Sequence, residues 1–340
     1  MRTWKPMQRD DMTIKNILDL AFAFEKSRVL LSACELDIFS VISSRLKSAG
    51  EIASELDTDT KATERLLDSL VAIGLLEKKN TKYANTNISL RFLDKSKPEY
   101  IGLFTHQNRL WNLWGNLTET VKTGKPPEFT DVKDMPPNEV DSFIESVTWR
   151  ASVLAHNVVK MLDISKVHKF LDLGGASGYY CKELLGLRSD IEVYEYIYPN
   201  FEEQTLKQLR WEGYADKINI LTGDFMEDDI GSGYDLILIS FLMHHSSIWD
   251  NIKLCKKVYD ALKPGGRVVI QDYIVNDEKT SPEFNALLAL ETLVSTHGGN
   301  SYTETDFWIV LKESWFDEIT RKDTEFGTSL IFGVKKAGLW

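Results

Sequence analysis

The sequence predicts an α/β fold: a largely parallel sheet wrapped by helices, preceded by a smaller and mostly helical unit. Three observations carry that prediction. From Lys169 onward, short apolar runs alternate with amphipathic ones, the pattern of strand and helix in turn. The first of those runs, Phe170-Leu-Asp-Leu173, opens straight into Gly174-Gly-Ala-Ser-Gly178, a glycine-rich turn at a helix start. Before residue 100 the order is instead helix, helix, helix, hairpin, which is the winged-helix order.

The first helix is written in residues 14–32, where Ile17, Leu18, Leu20, Ala21 and Phe24 recur at helical spacing and Val29, Leu30 and Leu31 continue the run. Ser48 is placed to cap a short helix ending at Leu56. The next helix covers residues 60–73, and Gly74 is suited to end it. Residues 75–83 then read as a small hairpin. The helix in the recognition position carries Lys61 and Arg65 but also Glu64 and Asp68. Groove readers are more basic than that, so residues 1–98 are expected to form an interaction or dimerisation domain.

A connector, residues 99–165, is rich in aromatic side chains: Phe104, Trp111, Trp114, Phe129, Phe143 and Trp149. Lys125-Pro-Pro127 and Met135-Pro-Pro137 divide it into separate helices. Most of these rings are expected to pack between helices, with some left to wall a pocket for a flat apolar molecule. In the core, residues 166–340, the expected strands are Lys169–Leu173, 191–198, 218–221, Tyr234–Ser240 and 267–272. Several are near-continuous apolar runs, as parallel strands buried on both faces must be. Helices are expected over Tyr179–Leu187, 201–211 and 249–262, the last halted by Lys263-Pro-Gly-Gly266. A helix over 305–313 and strand-like pieces at 319–322 and Ser329–Val334 close the chain.

Composition narrows the function. A chain of 340 residues with 43% hydrophobic and 27% charged side chains can bury a sizeable core in two domains. Its net charge of −11 disfavours nucleic acid and acidic membrane surfaces. The three cysteines, Cys34, Cys181 and Cys255, form no CxxC pair, which argues against a disulfide framework or structural zinc and for a reducing cytoplasm. Residues 1–13 are polar and no apolar run is long enough to span a bilayer.

Four landmarks together resemble the class I S-adenosylmethionine-dependent methyltransferases, and more narrowly the small-molecule O-methyltransferases of the acetylserotonin, plant caffeic-acid and bacterial polyketide type. They are Leu66-Leu-Asp-Ser-Leu-Val-Ala-Ile-Gly-Leu-Leu76, Leu171-Asp-Leu-Gly-Gly-Ala-Ser-Gly178, Gly223-Asp-Phe225, and Leu242-Met-His-His245 followed by Ala261-Leu-Lys-Pro-Gly-Gly266. The resemblance covers roughly residues 14–335. It implies a Rossmann-like seven-stranded sheet, a winged-helix dimerisation domain, a homodimer, and S-adenosyl-L-methionine as cofactor.

Site residues follow from the same resemblance. Gly174, Gly175 and Gly178 would let the backbone pass close to the cofactor's amino-acid end, with Asp172 holding the loop and the ammonium. Asp224 would accept from the adenine amino group, Phe225 and Met226 would line the adenine plane, and Ser240, at the end of the fourth strand, is also expected to contact the cofactor. The family places an acid at the end of the second strand for the ribose hydroxyls; Ile197 stands there in this chain. Glu195, two residues earlier on the same strand face, could replace it if the strand were shortened or bulged. His244 matches the family's general base, which takes the proton of the acceptor hydroxyl, and Asp272 the acid that orients it. Ser301 replaces the family's second acid, and His245 the aspartate that commonly follows the base. Phe143, Val147, His245 and His297 are the expected acceptor-pocket residues.

These departures leave alternatives open. His244, His245 and His297, or two of them with Asp272, could gather a metal ion, provided the strand has ended before His245. The same fold could run another reaction on a weakened cofactor site. A winged-helix DNA-binding regulator is the non-enzymatic alternative. The leading expectation is methyl transfer to a hydroxyl of a small aromatic molecule, with no metal.

Overall fold

The computed structural model describes residues 12–324 and 326–337; residues 1–11 of the polar amino-terminal stretch lie outside them. The chain divides into two compact units, one running to Arg109 and one beginning at Leu110.

In the first unit, α1 (Ile14–Glu35) starts at a capping box between Thr13 and Asn16, and the short α2 (Ile38–Ile42) follows. A two-residue strand, β1 (Lys47–Ser48), leads to α3 (Ala49–Leu56), where Ser48 is the cap expected from the sequence and Glu51 returns the bond to its backbone amide. Next come α4 (Thr60–Ala72), ended at Gly74 with φ +81°, and the hairpin of β2 (Leu76–Lys79) and β3 (Lys82–Asn85). β1 adds to the hairpin as a third strand. Ile38, Phe39, Ile52, Leu67, Leu70 and Tyr83 form the buried centre of this unit. α5 (Asn87–Phe92) then leads into α6 (Leu103–Trp114).

The second unit continues with α7 (Leu117–Thr123) and the long α8 (Pro137–Met161), whose Pro137 sits at the first helical position, where its missing N–H costs nothing. The alternation predicted from Lys169 follows: β4 (Lys169–Leu173), α9 (Tyr179–Leu187), β5 (Glu192–Ile197), α10 (Glu202–Glu212), β6 (Ile218–Thr222), β7 (Tyr234–Ser240), α11 (Ile248–Ala261) and β8 (Leu262–Asp272). The chain finishes with β9 (Ile274–Val275), α12 (Glu283–Ser295), β10 (Tyr302–Thr303), α13 (Glu304–Glu313), β11 (Asp317–Asp323) and β12 (Ser329–Val334).

Seven strands form one sheet in the order β11-β12-β8-β7-β4-β5-β6. The five from β4 to β8 are parallel and the last two antiparallel. One face is covered by α8 and α9 over Phe170, Val193, Leu238 and Val269; the other buries Leu171, Ile237, Ile239 and Ile270 with Val258 of α11. Each such side chain withdrawn from water stabilises the sheet by roughly 1.5–3 kcal/mol.

Two features differ from the sequence expectation. Lys263-Pro-Gly-Gly266 ends α11 but lies within β8, because Gly265 and Gly266 exchange backbone hydrogen bonds with Lys335 beyond β12. Residues 283–295 form a helix that apolar periodicity hides, since Leu287, Leu288, Leu290 and Leu293 do not keep to one stripe and Pro282 offers no side-chain cap.

Candidate active site

β4 lies between β5 and β7, so the chain's progress along the sheet reverses there. In an open parallel sheet the crevice outside the strand ends at such a switch is where ligands bind. Two turns meet at it. One follows β4, with Gly174 and Gly178 at φ +77° and +68°, values a side chain resists. The other follows β7, and its Leu242 approaches so closely that a Cβ on Gly174 would lie 2.8 Å from Leu242 Cδ2.

Beneath the first turn lie two acids. Asp172 and Glu195 face each other in register on β4 and β5, and both are buried. A Cβ on Gly175 would come within 2.6 Å of Glu195 Oε1 and 2.9 Å of Asp172 Oδ2, so the backbone rests directly on both carboxyls. Glu195 Oε1 accepts from the amides of Ser177 (2.9 Å) and Gly178 (2.8 Å). Burial pushes Asp172 well above the usual carboxylate range, and the charge of Glu195 adds to the shift. Burial also raises Glu195, to about 7, against the pull of its two amide donors. One carboxyl of the pair therefore keeps its proton near neutral pH.

This placement corrects the expectation for Glu195. β5 pairs with β4 and β6 without a register shift through Ile197, so the strand is neither shortened nor bulged. Glu195 stays under the turn, where it braces the loop from below. Ile197 is fully buried with Ala176, Met135, Val140, Ile144 and Phe201, leaving apolar packing where the family resemblance implies a ribose acceptor.

Beyond β6, Asp224 Oδ1 accepts from the Met226 amide at 3.0 Å and Oδ2 meets Lys133 Nζ at 3.1 Å. Phe225 is also corrected: it is a core residue whose ring lies 4.8 Å from Tyr198, and it offers no open face for a base. Met226 is only partly buried.

His244 lies one turn beyond β7, in the 3-10 turn Met243–His245, rather than on the strand itself. The Asn251 amide donates to Met243 O at 2.9 Å and fixes that turn. His244 is buried, and its Nδ1 lies 2.7 Å from Asp272 Oδ1. Asp272 also accepts the amides of His244 (3.2 Å) and Tyr273 (2.8 Å), which locks the carboxylate in place. With Nδ1–H directed at Asp272, Nε2 is left as the proton acceptor. The Gly298-Gly299 segment packs onto the same turn. A Cβ on Gly299 would lie 2.4 Å from His244 O, a carbonyl that accepts from the Asn300 amide at 3.0 Å.

The four expected acceptor-pocket residues have these neighbours. Phe143 and Val147 pack against the Ile197 cluster, with Phe143 5.4 Å from the ring of Phe201. His297 is exposed against Phe129, ring centroids 4.8 Å apart. His245 adjoins His244 at 4.1 Å. Among the described residues no group of three or more His, Cys, Asp or Glu side chains is gathered as a metal site. Ser240, at the end of β7, is half-buried, and Ser301 is buried with its hydroxyl unbonded among the described residues.

Sequence reading missed Arg150, Phe241, Tyr273 and Glu291. The Arg150 guanidinium carbon lies 4.7 Å from the Phe241 ring, Phe241 lies 5.2 Å from Tyr273, and Tyr273 lies 6.5 Å from His244. Burial raises the Glu291 carboxyl, which His244 and Arg150 pull back down. A usable signal was present: Phe143, Val147 and Arg150 fall at i, i+4 and i+7, one stripe of a helix.

The residues present suit a nucleoside with a cationic amino-acid end. Asp172 Oδ1 and Glu195 Oε2 are buried and unbonded among the described residues, under a turn that carries no side chain at Gly174, Gly175 and Gly178. A switch-point crevice with a glycine turn on one side and a carboxylate-braced imidazole on the other defines a methyltransferase site. The O-methyltransferase domain model matches residues 114–317, and the O-methyltransferase dimerisation domain model matches residues 18–95. The chain belongs to the O-methyltransferase family.

It is 26% identical to the tetracenomycin polyketide synthesis 8-O-methyl transferase TcmO of Streptomyces glaucescens, over 94% of this chain and 96% of that one. It is 28% identical to the acetylserotonin O-methyltransferase of Gallus gallus, over 91% and 93%. The solved structure of PigF with SAH superposes with a TM-score of 0.89 at 26% identity, over 95% of this chain and all of that one (100%). The protein is an S-adenosylmethionine-dependent O-methyltransferase of small molecules.

Proposed function

We propose that the acceptor is a hydroxyl on a small aromatic molecule and that His244 is its general base. The single observation that carries the role of His244 is its 2.7 Å contact to Asp272, at the strand end beside the glycine turn. Bound at that turn, S-adenosylmethionine supplies an electrophilic methyl group on a sulfonium. Gly174, Gly175 and Gly178 shape the backbone that holds its amino-acid end, and Asp172 and Glu195 brace that backbone. Asp224, Met226 and Ser240 border the nucleoside side. As the acceptor oxygen would form its bond to the methyl carbon, the carbon–sulfur bond would break with its electron pair going to sulfur, leaving S-adenosylhomocysteine, and His244 Nε2 would take the hydroxyl proton. Asp272 holds the ring in one tautomer and stabilises the imidazolium that results. Positioning supplies the rest of the rate. Aromatic acceptors are supported by the ring-rich surroundings of His244 and by a relative named 3-hydroxy-5-methyl-1-naphthoate 3-O-methyltransferase.

The protein is further proposed to act as a homodimer through residues 1–98, with residues 99–340 carrying the reaction. The match to a dimerisation model supports this, as does α1, which exposes Ile14, Ile17, Leu18, Leu20, Phe22 and Phe24. An exposed apolar surface of that extent is expected to be covered. Three unpaired cysteines fit a reducing cytoplasm, and no described helix is long and apolar enough to cross a membrane.

Two experiments test the proposal. Transfer of labelled methyl from S-adenosylmethionine is measured across a panel of phenols, with matched anilines as the contrast; methylation confined to the anilines would overturn the acceptor assignment. Light scattering of wild type and Leu18→Asp/Phe22→Asp is expected to show a dimer and a monomer respectively. A wild-type monomer at micromolar concentration would remove the dimer.

A further inference from the structure

Arg150 differs from three other arginines of its unit. Arg188, Arg267 and Arg321 of the second unit each have a carboxylate partner. The half-buried Arg150 has neither an ion pair nor a hydrogen bond to its guanidinium among the described residues, only the face of Phe241 at 4.7 Å. A guanidinium carries five donors in a planar fork, and withdrawing it from water without an acceptor is unfavourable. Its platform is itself unusual. Phe241 sits at φ +53°, in the left-handed region that an aromatic side chain rarely occupies, and such strain persists where surrounding structure enforces it.

The location is specific. Phe241 directly follows Ser240 at the end of β7, and through Tyr273 the stack reaches the ring of His244. Burial raises the carboxyl of Glu291 on α12, and the charges of His244 and Arg150 oppose that rise, while no hydrogen bond joins it to either among the described residues.

We propose that Arg150 is a carboxylate-binding residue at the methyl-transfer mouth, its guanidinium laid flat on Phe241 so that its donors meet a carboxylate carried in by a ligand. Planar guanidinium and carboxylate match in two-pronged geometry, which lysine cannot reproduce. Two carboxylates can reach this mouth: that of the cofactor's amino-acid end, and that of an acidic aromatic acceptor. The assignment rests on the methyltransferase reading above.

Calorimetry on wild type, Arg150→Ala and Arg150→Lys separates the sources. The first pair of probes is S-adenosylhomocysteine and 5′-methylthioadenosine, the same nucleoside thioether without the amino-acid end. The second pair, added to protein saturated with S-adenosylhomocysteine, is 3-hydroxy-2-naphthoate and 2-naphthol. Arg150→Ala is expected to weaken the carboxylate-bearing member of one pair roughly 10- to 100-fold while leaving its uncharged counterpart unchanged. Arg150→Lys is expected to restore only part of the loss. A loss confined to S-adenosylhomocysteine assigns the cofactor's carboxylate, and one confined to the naphthoate assigns the acceptor's. Wild-type affinity of Arg150→Ala for both carboxylates overturns the proposal. Failure of wild type to bind either thioether would instead defeat the underlying reading.

Discussion

The two sides of the switch-point crevice are built on opposite plans. On the β7–β8 side, polar groups answer polar groups: His244 Nδ1 meets Asp272, and Asp272 takes two further amides. On the β5 side the strand ends in Ile197, sealed among Met135, Val140, Ile144 and Phe201. The comparison teaches that the half proposed to handle the proton keeps a strict hydrogen-bonded geometry, whereas the half proposed to hold the nucleoside has apolar packing at its strand end. Proton transfer depends on the position and tautomer of one nitrogen. Ligand binding spreads over many contacts, and losing one hydrogen bond costs on the order of 1–3 kcal/mol.

The largest effect that would break the comparison is at His244. His244→Ala is expected to lower the rate of methyl transfer roughly 10²- to 10⁴-fold in single-turnover assays, with S-adenosylhomocysteine affinity within about twofold of wild type. Wild-type turnover would remove the base.

Next in size is Ile197→Asp. If the β5 end is truly an apolar seal, a carboxylate there loses on the order of 3 kcal/mol of stability in denaturant unfolding, against about 1 kcal/mol for Ile197→Val. An aspartate that instead left stability intact and tightened S-adenosylhomocysteine binding would show that the strand end opens to the ribose.

Glu195 sharpens the comparison through pH. Its carboxyl is raised from 4.5 to about 7 by burial, so the folded protein holds a proton that the unfolded chain has released. Where the native state binds more protons, stability falls as pH rises, here through the window from about 4.5 to about 7. Glu195→Gln keeps an oxygen for the Ser177 and Gly178 amides and removes the charge. Its unfolding free energy is expected to fall less than that of wild type between pH 5 and 8, by on the order of 2 kcal/mol. Parallel pH profiles would refute the buried pair.

The smallest effect is expected at Lys133, whose pair with Asp224 is half exposed. Lys133→Ala should cost about 0–1 kcal/mol of stability. A larger loss would mean that this contact clamps the nucleoside side more firmly than its exposure implies.

Much of this molecule was legible in its sequence, for physical reasons. Parallel strands buried on both faces leave apolar runs, so β4 and β7 could be bounded to the residue. Positive φ demands glycine, which marked the turn at Gly174 and Gly178, and the order of landmarks pointed to His244 and Asp272. What stayed hidden depends on neighbours distant in sequence. Strand periodicity places Glu195 on a face but does not say that the loop amides of Ser177 and Gly178 would claim it. Phe143 and Val147 are readable as apolar residues of the connector, but only the fold shows that Phe143 and Val147 pack beside Ile197 while Arg150, farther along the same helix, reaches Phe241. α12 escaped because a helix apolar on several sides has no periodic signature, and with it Glu291.

A crystal structure of the protein with S-adenosylhomocysteine bound tests the central claim most directly. The account requires the amino-acid end to lie on the Gly174–Gly178 backbone, with the thioether sulfur facing Nε2 of His244 across a gap that an acceptor oxygen and a methyl group can fill. A nucleoside seated elsewhere, or an imidazole turned away from the sulfur with its bond to Asp272 broken, would contradict it.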